Sequence, residues 1–265
     1  EGLAAIARHQ RGELLGDAVA RVRARETRRR FVDVLGEIGQ ELADLREGAG
    51  FVLGNIVDHA GTRVHLGAAE GCNLACAHCQ VDAPRGLARP MDAGRLEGLL
   101  RELHELGCMQ LSVSGGEPLL HPGLLPALEL ACRLGLNVFL TTNGTLVDEA
   151  LADALAALPL RSVNVSFDGP DAEAHDLVRG RGAFARARKG VERLARRRPT
   201  GVVTTLTAGT VDRARELLRL AEDVGAAALV VRPAPPAGRA AARDLEPDHA
   251  SFLRAVDALL ALAPA

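Results

Sequence analysis

The chain has 265 residues, 48% of them hydrophobic and 25% charged, so it is long enough to bury one large core. A formal net charge of −2 at pH 7 gives no electrostatic reason to expect nucleic acid or a membrane surface as a partner. The first residues carry charges at Arg8, Arg11 and Glu13, unlike a secretory signal, and no apolar stretch could span a bilayer. We therefore expect a cytoplasmic protein with one main domain.

The first part of the chain predicts a helical extension and a linker. Apolar side chains recur at helical spacing between residues 2 and 47, which predicts two amphipathic helices. Glycines then interrupt the pattern, and the apolar segments on either side of residues 58–62 are compatible with a hairpin. We assign residues 1–60 to this extension and residues 61–265 to the core domain.

In the core domain, short apolar runs alternate with amphipathic helices. The predicted strands lie near 63–69, 109–113, 136–141, 161–167, 201–206 and 228–233, and the predicted helices near 92–107, 123–135, 147–158, 184–197, 211–224 and 248–263. This alternation is typical of parallel strands covered by helices. Six units predict an α/β fold, an open partial (β/α)6 barrel, whose strand-to-helix loops meet at one end. A flat doubly wound sheet would give the same local pattern and stays open.

Three cysteines, Cys72, Cys76 and Cys79, stand in the loop after the first predicted strand. Such a cluster indicates a metal or redox site in a reducing compartment. A zinc site would need a fourth ligand, and the only nearby candidate, His78, should point away from the adjacent Cys79. An electron-transfer [4Fe–4S] cluster would also need a fourth cysteine, whereas three thiolates would leave one iron open to an outside ligand. The spacing alone leaves these three kinds of site open.

A second polar segment, Ser114-Gly115-Gly116-Glu117-Pro118, follows the next predicted strand. Because neighbouring strands of a βαβ unit end side by side, this segment and the cysteine loop should face one pocket. The glycines let backbone approach a ligand closely, and Glu117 can accept a hydrogen bond from an ammonium group. By itself the segment is more typical of an ordinary turn.

Together the cysteine triplet and the Gly115 to Pro118 segment resemble the radical S-adenosylmethionine (SAM) superfamily. The resemblance continues through three segments in the expected order, Thr141-Thr142-Asn143-Gly144, Ser166-Phe167-Asp168-Gly169 and His175-Asp176-Leu177-Val178-Arg179-Gly180. These are similar to segments of the subgroup that matures peptides and tetrapyrroles and often carries a cysteine-rich C-terminal extension called SPASM. The resemblance spans about residues 63–240, and such an extension is absent from the sequence given.

The resemblance implies a [4Fe–4S] cluster held by Cys72, Cys76 and Cys79, with SAM on the open iron. It further implies reductive cleavage of SAM to a 5′-deoxyadenosyl radical, which abstracts hydrogen from a substrate. The implied substrate is a peptide, then a tetrapyrrole, then a small molecule, in order of preference. The implied electron donor is a protein such as flavodoxin or ferredoxin.

The resemblance also implies which residues contact SAM. In chain order they are Gly115, Gly116, Glu117, Pro118, Asn143, Ser166, Asp168 and Arg179. Glu117 should hold the amino group, Ser166 and Asp168 the ribose, and Arg179 the carboxylate through its two-pronged guanidinium. His78 stands where the family often has an aromatic residue near adenine. There is no Tyr or Trp in the chain, which excludes a tyrosyl relay within it.

Two further cysteines are predicted to be structural. Cys108 precedes the second predicted strand, at the end of a barrel opposite the cysteine loop, and Cys132 lies inside a predicted helix. Two alternatives to an enzyme stay open. One is an iron–sulfur protein that binds SAM or transfers electrons without turnover, and the other is a zinc-stabilised interaction module with the helices of residues 2–47 as its partner surface.

Overall fold

A computed structural model describes residues 63–69, 71–86, 90–235 and 237–262. Six strands form one sheet: β1 (Arg63–Ala69), β2 (Gln110–Gly115), β3 (Asn137–Thr142), β4 (Ser162–Ser166), β5 (Thr200–Leu206) and β6 (Ala228–Pro233). The helices are α1 (Ala93–Glu105), α2 (Leu124–Arg133), α3 (Glu149–Ala157), α4 (Ala172–Arg179), α5 (Ala183–Ala195), α6 (Ala214–Asp223), α7 (Gly238–Ala241) and α8 (His249–Leu260). Short 3₁₀ turns occupy Pro118–Leu120 and Val211–Arg213.

The strands pair in the order β1-β2-β3-β4-β5-β6, and every pair is parallel. A doubly wound sheet reverses its strand order at a switch point, which this sheet does not do. In a flat sheet β1 and β6 would lie about 24 Å apart, five spacings of about 4.8 Å. Yet the loop that follows β1 contacts the segment that follows β6, because the backbone N–H of Arg239 donates to the carbonyl oxygen of Cys79 over 2.9 Å. The sheet is therefore curled into an open partial barrel, as predicted.

The side of the sheet that faces the helices carries the main apolar core. Buried and partly exposed residues alternate along β1 and β3, as expected for strands whose two faces have different surroundings. The strand residues of this core include Val64, Leu66, Leu111, Val113, Val138, Leu140, Val163, Val165 and Val202. A smaller core lies between α6 and α8, around Leu217 and Ala255. The opposite face of the strands is left to line the interior of the barrel.

Aspartate side chains begin four of the helices. The side chain of Asp92 accepts hydrogen bonds from two backbone N–H groups at the start of α1. Asp148, Asp171 and Asp248 each accept one at the starts of α3, α4 and α8. These caps satisfy donors that the first helical turn leaves without partners. They therefore fix where each strand-to-helix loop ends.

The predicted strands agree with the observed ones to within two residues at each end. The structure adds two helices that the sequence pattern did not predict, α4 and the short α7. The predicted helices and hairpin of residues 1–62 lie outside the described residues, so the boundary near residue 60 stays a prediction. Among the helices that the structure describes, none is both long enough and apolar enough to cross a membrane.

Candidate functional site

Four loops meet at the carboxyl ends of β1 to β4 and carry the residues that sequence analysis selected. The first two are joined by backbone, because Gly116 N–H donates to the Ala69 carbonyl oxygen and Glu117 N–H to that of Gly71, each over 2.9 Å. The loop after β3 joins them through Asn143, whose backbone N–H donates to Glu117 Oε2 over 2.8 Å. The structure therefore assembles the predicted segments at one edge of the sheet.

The three thiols of Cys72, Cys76 and Cys79 lie in one small cluster. Leu74, Ala83 and Ala183 pack around them, and Cys79 is the most exposed of the three cysteines. Burial raises the pKa of Cys72 to about 11 and also raises the pKa of Cys76, since it disfavours the charged thiolate. The positive charge of Arg179 opposes this shift at both thiols. A bound metal would supply the larger compensation that buried thiolates require.

The cysteine loop is held by its neighbours rather than by regular structure. Cys72 exchanges backbone hydrogen bonds with the returning chain, donating to the Pro84 carbonyl oxygen and accepting from Gly86 N–H, both over 2.9 Å. Ala77 N–H donates to the Val178 carbonyl oxygen in α4 over 2.7 Å. The loop is thus anchored both on itself and on the helix that follows β4.

Glu117 is fully buried, and its carboxylate accepts three hydrogen bonds from the chain. The donors are the hydroxyl of Thr142 at 2.6 Å, the N–H of Asn143 at 2.8 Å and the N–H of Leu119 at 3.1 Å. Burial raises the pKa of Glu117, although these donors act in the opposite direction. A carboxylate has about four lone-pair positions, so about one stays available for the predicted ammonium contact. In this structure the hydrogen bonds of the Glu117 carboxylate connect the loops after β2 and β3.

Asp168 is the second buried carboxylate of the site, and it binds three separate elements. Its Oδ2 accepts from His78 Nε2 over 2.8 Å and from Arg179 Nε, while its Oδ1 accepts from Thr205 N–H over 2.8 Å. Burial alone would raise the pKa of Asp168, but the charges of Arg179 and His78 outweigh it and hold that pKa far below its usual range. Asp168 therefore links the cysteine loop, α4 and β5, and its predicted contact with the ribose would compete with these bonds.

Arg179 lies in the last turn of α4 with its side chain only 10% exposed. Its Nε is bonded to Asp168, and its two Nη groups have no hydrogen-bond partner among the residues that the structure describes. The nearby charges of Asp168, Cys76 and Cys72 raise its pKa further, although burial opposes this. Because its Nε is bonded to Asp168 and its two Nη groups are, among the described residues, free to donate, the guanidinium can bind a second carboxylate in addition to that of Asp168.

Asn143 and Ser166 have different surroundings. The side-chain oxygen of Asn143 accepts from the backbone and hydroxyl of Thr145, and its Nδ2 donates to Asn73 Oδ1 over 2.8 Å and towards Cys72 Sγ over 3.8 Å. Asn143 is therefore already used in holding the cysteine loop. Ser166 is buried, and no hydrogen bond of its hydroxyl is described.

Two histidines in the site have one ring nitrogen without a partner. His78 Nδ1 and His175 Nε2 are both buried and make no hydrogen bond within the described part of the chain. His175 packs against Phe167 and Phe184 and accepts from Asp168 N–H through Nδ1. Burial lowers the pKa of His175 to about 4, so the ring is neutral at pH 7. A buried nitrogen without a partner, as in His78, is compatible with a ring that faces a ligand pocket.

The donor set fits a cluster better than a single ion. Among the described residues, no three His, Cys, Asp or Glu side chains converge on a point that would suit one metal ion. A cubane cluster bonds each thiolate to a different iron, so its three thiolates need not converge in that way. Cys108 and Cys132 stand apart in the main core, Cys108 within it and Cys132 packed against it.

Sequence analysis missed one residue that contacts this loop. Arg239 donates from Nε to the Cys76 carbonyl oxygen over 2.8 Å, although 163 positions separate the two residues. No local pattern marks Arg239, because the contact depends on the curl of the whole sheet. The Gly-Arg pair that follows β6 would have been the only visible signal.

Six parallel strands in sequential order, with polar loops gathered at their carboxyl ends, define an α/β protein of the partial-barrel class. The chain belongs to the radical SAM superfamily, whose sequence profile matches residues 68–224, more than half of the chain. This agrees with the resemblance drawn from the cysteine, Gly-Gly-Glu-Pro and downstream segments.

Individual relatives are similar over about two thirds of the chain. The AdoMet-dependent heme synthase of Methanosarcina barkeri is 34% identical over 172 residues, which are 64% of this chain and 49% of the relative. The mycofactocin maturase MftC of Mycobacterium ulcerans is 30% identical over 197 residues, 72% of this chain and 52% of the relative. The chain thus spans about half the length of these curated relatives.

Solved structures share the fold. Crystal structures of Streptococcus suis SuiB, one bound to S-adenosylmethionine and one to the precursor peptide SuiA, match with TM-scores of 0.66 and 0.60. The matches cover 75% and 66% of this chain and 47% and 40% of SuiB. Sequence identity is 17% and 19%, so they establish the partial-barrel fold alone.

Proposed function

We propose that this radical SAM enzyme binds one [4Fe–4S] cluster through Cys72, Cys76 and Cys79. The observation that carries the proposal is the gathering of these three thiols in one cluster beside Arg179, at the carboxyl ends of the strands. Three thiolates leave the fourth iron of such a cluster open, which is where the amino and carboxylate groups of SAM would bind. With SAM bound at that iron, the cluster would supply the electron that cleaves SAM to a 5′-deoxyadenosyl radical.

The chain supplies a backbone surface for the amino end of SAM. Gly115 has a φ of +108°, and a Cβ atom there would lie 2.8 Å from Gly67 Cα and 3.1 Å from the Ala69 carbonyl oxygen. A side chain would therefore collide with β1, so glycine lets the ends of β1 and β2 lie close together. We propose that Gly115, Gly116 and Pro118 line the pocket here, with the remaining lone pair of Glu117 directed at the ammonium group.

Arg179 is proposed to hold the carboxylate of SAM through the two Nη groups that have no described partner. Asp168 would then fix the guanidinium plane from the other side, since its Oδ2 accepts from Nε. Ser166, with its buried hydroxyl, and Asp168 are proposed near the ribose, and Asn143 acts mainly through the cysteine loop. The ring of His78, fixed at Nε2 by Asp168, is proposed to face adenine.

We propose a peptide substrate first and a tetrapyrrole second. The names of the relatives, a heme synthase and a maturase, and the peptide bound to SuiB support these two classes. The strand face turned away from the helices also carries polar side chains, among them Ser112, Thr141, Asn164 and Arg232. Arg232 is exposed and has no ion-pair partner among the described residues, so this interior suits a polar or anionic substrate. A small redox protein such as flavodoxin or ferredoxin would deliver the electron.

The test is anaerobic reconstitution with iron and sulfide, followed by reduction with dithionite in the presence of SAM. We expect about four irons per chain and formation of 5′-deoxyadenosine. Cys76→Ala should lose both, because two thiolates cannot hold a four-iron cluster firmly, while the matched control Cys132→Ala keeps both. Full iron content in Cys76→Ala would refute the site. Iron without 5′-deoxyadenosine in the wild type would favour an electron-transfer protein, and zinc without iron an interaction module.

A further inference from the structure

The segment after β6 lies directly against the loop that carries Cys76 and Cys79. Gly238 has a φ of +56°, and a Cβ atom there would lie 2.4 Å from the Cys79 carbonyl oxygen and 2.6 Å from that of Gln80. Both the positive φ and the short distances exclude a side chain at this position. Only glycine therefore lets these two backbones meet.

Arg239 makes four hydrogen bonds to the same loop. Its backbone N–H donates to the Cys79 carbonyl oxygen over 2.9 Å, and its Nε to that of Cys76 over 2.8 Å. Its Nη1 donates to Asp82 Oδ1 over 2.6 Å and to the Ala83 carbonyl oxygen over 3.2 Å. The side chain is only 23% exposed. The planar guanidinium reaches these acceptors at once, which the single ammonium of a lysine cannot do.

The cysteine loop has little other support in this region. Apart from the bond with Arg239, the described backbone-to-backbone hydrogen bonds of residues 74–83 are those between Ala77 and Val178 and between Cys79 and Cys76. Asp82 has a φ of +48°, in the left-handed region that is unfavourable for residues with a side chain. A loop in this state keeps one conformation only if its surroundings hold it there.

Gly238 and Arg239, called the clamp below, also connect the two sides of the barrel that strand pairing leaves open. β1 and β6 are the two edge strands and do not pair with each other. The segments that follow them are joined by Gly238 and Arg239, at the end of the sheet where the thiols lie. The contact is therefore made where a change in the position of β6 would be transmitted to Cys76 and Cys79.

We propose that Gly238 and Arg239 position the cysteine loop, and that Arg239 is a positioning residue which keeps Cys76 and Cys79 beside Cys72. It touches the backbone of the loop and is not a metal ligand. The experiment on iron release rests on the proposed function, because it needs a bound cluster. The experiment on the conformation of the loop does not, because it uses the iron-free protein.

The first experiment measures amide hydrogen exchange in the iron-free full chain. In Arg239→Gln, peptides that cover residues 72–86 should exchange about tenfold faster than in the wild type, because one charged donor group no longer holds the loop. Peptides from β2 to β4 should be unchanged. Arg243→Gln is the matched control, since Arg243 is exposed and no hydrogen bond of its side chain is described. Unchanged exchange at 72–86, or faster exchange throughout the chain, would overturn the proposal.

The second experiment follows the reconstituted protein. Arg239→Gln should release iron to a chelator about tenfold faster than the wild type, with a broadened electron paramagnetic resonance signal from the reduced cluster. Arg239→Lys should restore part of the retention, since an ammonium can replace one of the lost donors, and Arg243→Gln should match the wild type. Equal iron release in Arg239→Gln and the wild type would contradict the role. A wild type that binds no cluster would refute the proposed function instead, and the exchange result would still decide the clamp.

Discussion

Asp168 and Arg179 form an ion pair inside the protein, which joins the end of β4 to the last turn of α4. The carboxylate is fully buried and the guanidinium nearly so. Such a pair contributes little when compared with an apolar pair, but the loss of one partner leaves a buried charge uncompensated. The first prediction follows from this asymmetry, and the second from the two Nη groups that Arg179 keeps free of Asp168.

Asp168→Ala should destabilise the iron-free chain by about 3–5 kcal/mol, the cost of leaving a buried arginine without its partner. The measurement is urea unfolding followed by circular dichroism. The control is Asp153→Ala, which removes an exposed partner of Arg197 and should leave the unfolding free energy near that of the wild type. If the two substitutions lowered the free energy of unfolding by similar amounts, the buried pair would contribute no more to stability than the exposed one.

Arg179→Lys should weaken SAM binding by about 1–3 kcal/mol, because an ammonium cannot present paired donors to a carboxylate. Iron content should stay at the wild-type level, since the thiols are unchanged. Isothermal titration of the reconstituted protein with SAM measures the effect. Arg181→Lys, at an exposed position just beyond α4, is the control. Wild-type affinity in Arg179→Lys would remove Arg179 from the SAM site.

His175 should make the stability of the iron-free chain depend on pH between about 6.5 and 4. Burial, and after it the charge of Arg179, lowers the pKa of His175 to about 4, from a usual value of 6.5 in the unfolded chain. Below pH 6.5 the unfolded chain therefore binds a proton that the folded chain does not, and stability falls as pH falls. At pH 5 the loss relative to pH 7.5 should be about 2 kcal/mol.

The variant that checks this is His175→Gln, which keeps an acceptor for Asp168 N–H but does not titrate. Urea unfolding at several pH values should show a smaller loss of stability in the variant over this window, whatever its absolute stability. Parallel curves for wild type and variant would show that another group is responsible.

Gly190→Ala should destabilise the protein by about 3 kcal/mol or more, as expected for forced overpacking against backbone. A Cβ atom on Gly190, in α5, would lie 2.1 Å from the Gly144 carbonyl oxygen, in the loop that presents Asn143. Gly98→Ala, in α1, is the opposite case, because a Cβ atom there meets nothing within 4 Å. It should stabilise by about 0.5–1 kcal/mol through helix propensity. Thermal unfolding of both variants tests the contrast, and a neutral Gly190→Ala would contradict the close approach.

The described part of the chain should hold one cluster. The double variant Cys108→Ala/Cys132→Ala should therefore keep about four irons per chain and still form 5′-deoxyadenosine. Cys108 lies just before β2 within the main core, and its thiol is directed at the Gln110 carbonyl oxygen over 3.3 Å. Loss of about half of a larger iron content in the double variant would show that a second cluster exists.

Sequence pattern predicted the strands well because each strand has one face against the core. The alternation in β1 and β3 is visible in the sequence, and the acidic caps Asp92 and Asp148 mark where helices begin. Local signals of this kind need no knowledge of the rest of the chain. The helix of residues 172–179 was not predicted: the predicted helix begins near residue 184, and α4 is only eight residues long, which is too short to show a clear helical repeat.

The polar contacts of the site could be predicted less well. Asp168 was expected at the ribose, but its oxygens accept from His78, Arg179 and Thr205. Glu117 likewise bonds to Thr142 and to backbone of two loops. The hydrogen-bond donors that a carboxylate binds depend on which loops the fold brings beside it. The sequence motifs predict that these loops lie close together, but they do not predict which side chains bond to each other.

The order of the strands across the sheet has a consequence for synthesis of the protein. A chain leaves the ribosome from its amino end, and neighbouring strands here can pair as they emerge. The three cysteines belong to the first unit, whereas Arg239 follows the last strand, 163 positions after Cys76. The earliest part of the sheet to appear therefore carries the cysteine loop, and the contact of that loop with Arg239 forms only when the last part appears. Under the proposed function, iron delivered to a nascent chain would meet the three cysteines before Arg239 holds their loop.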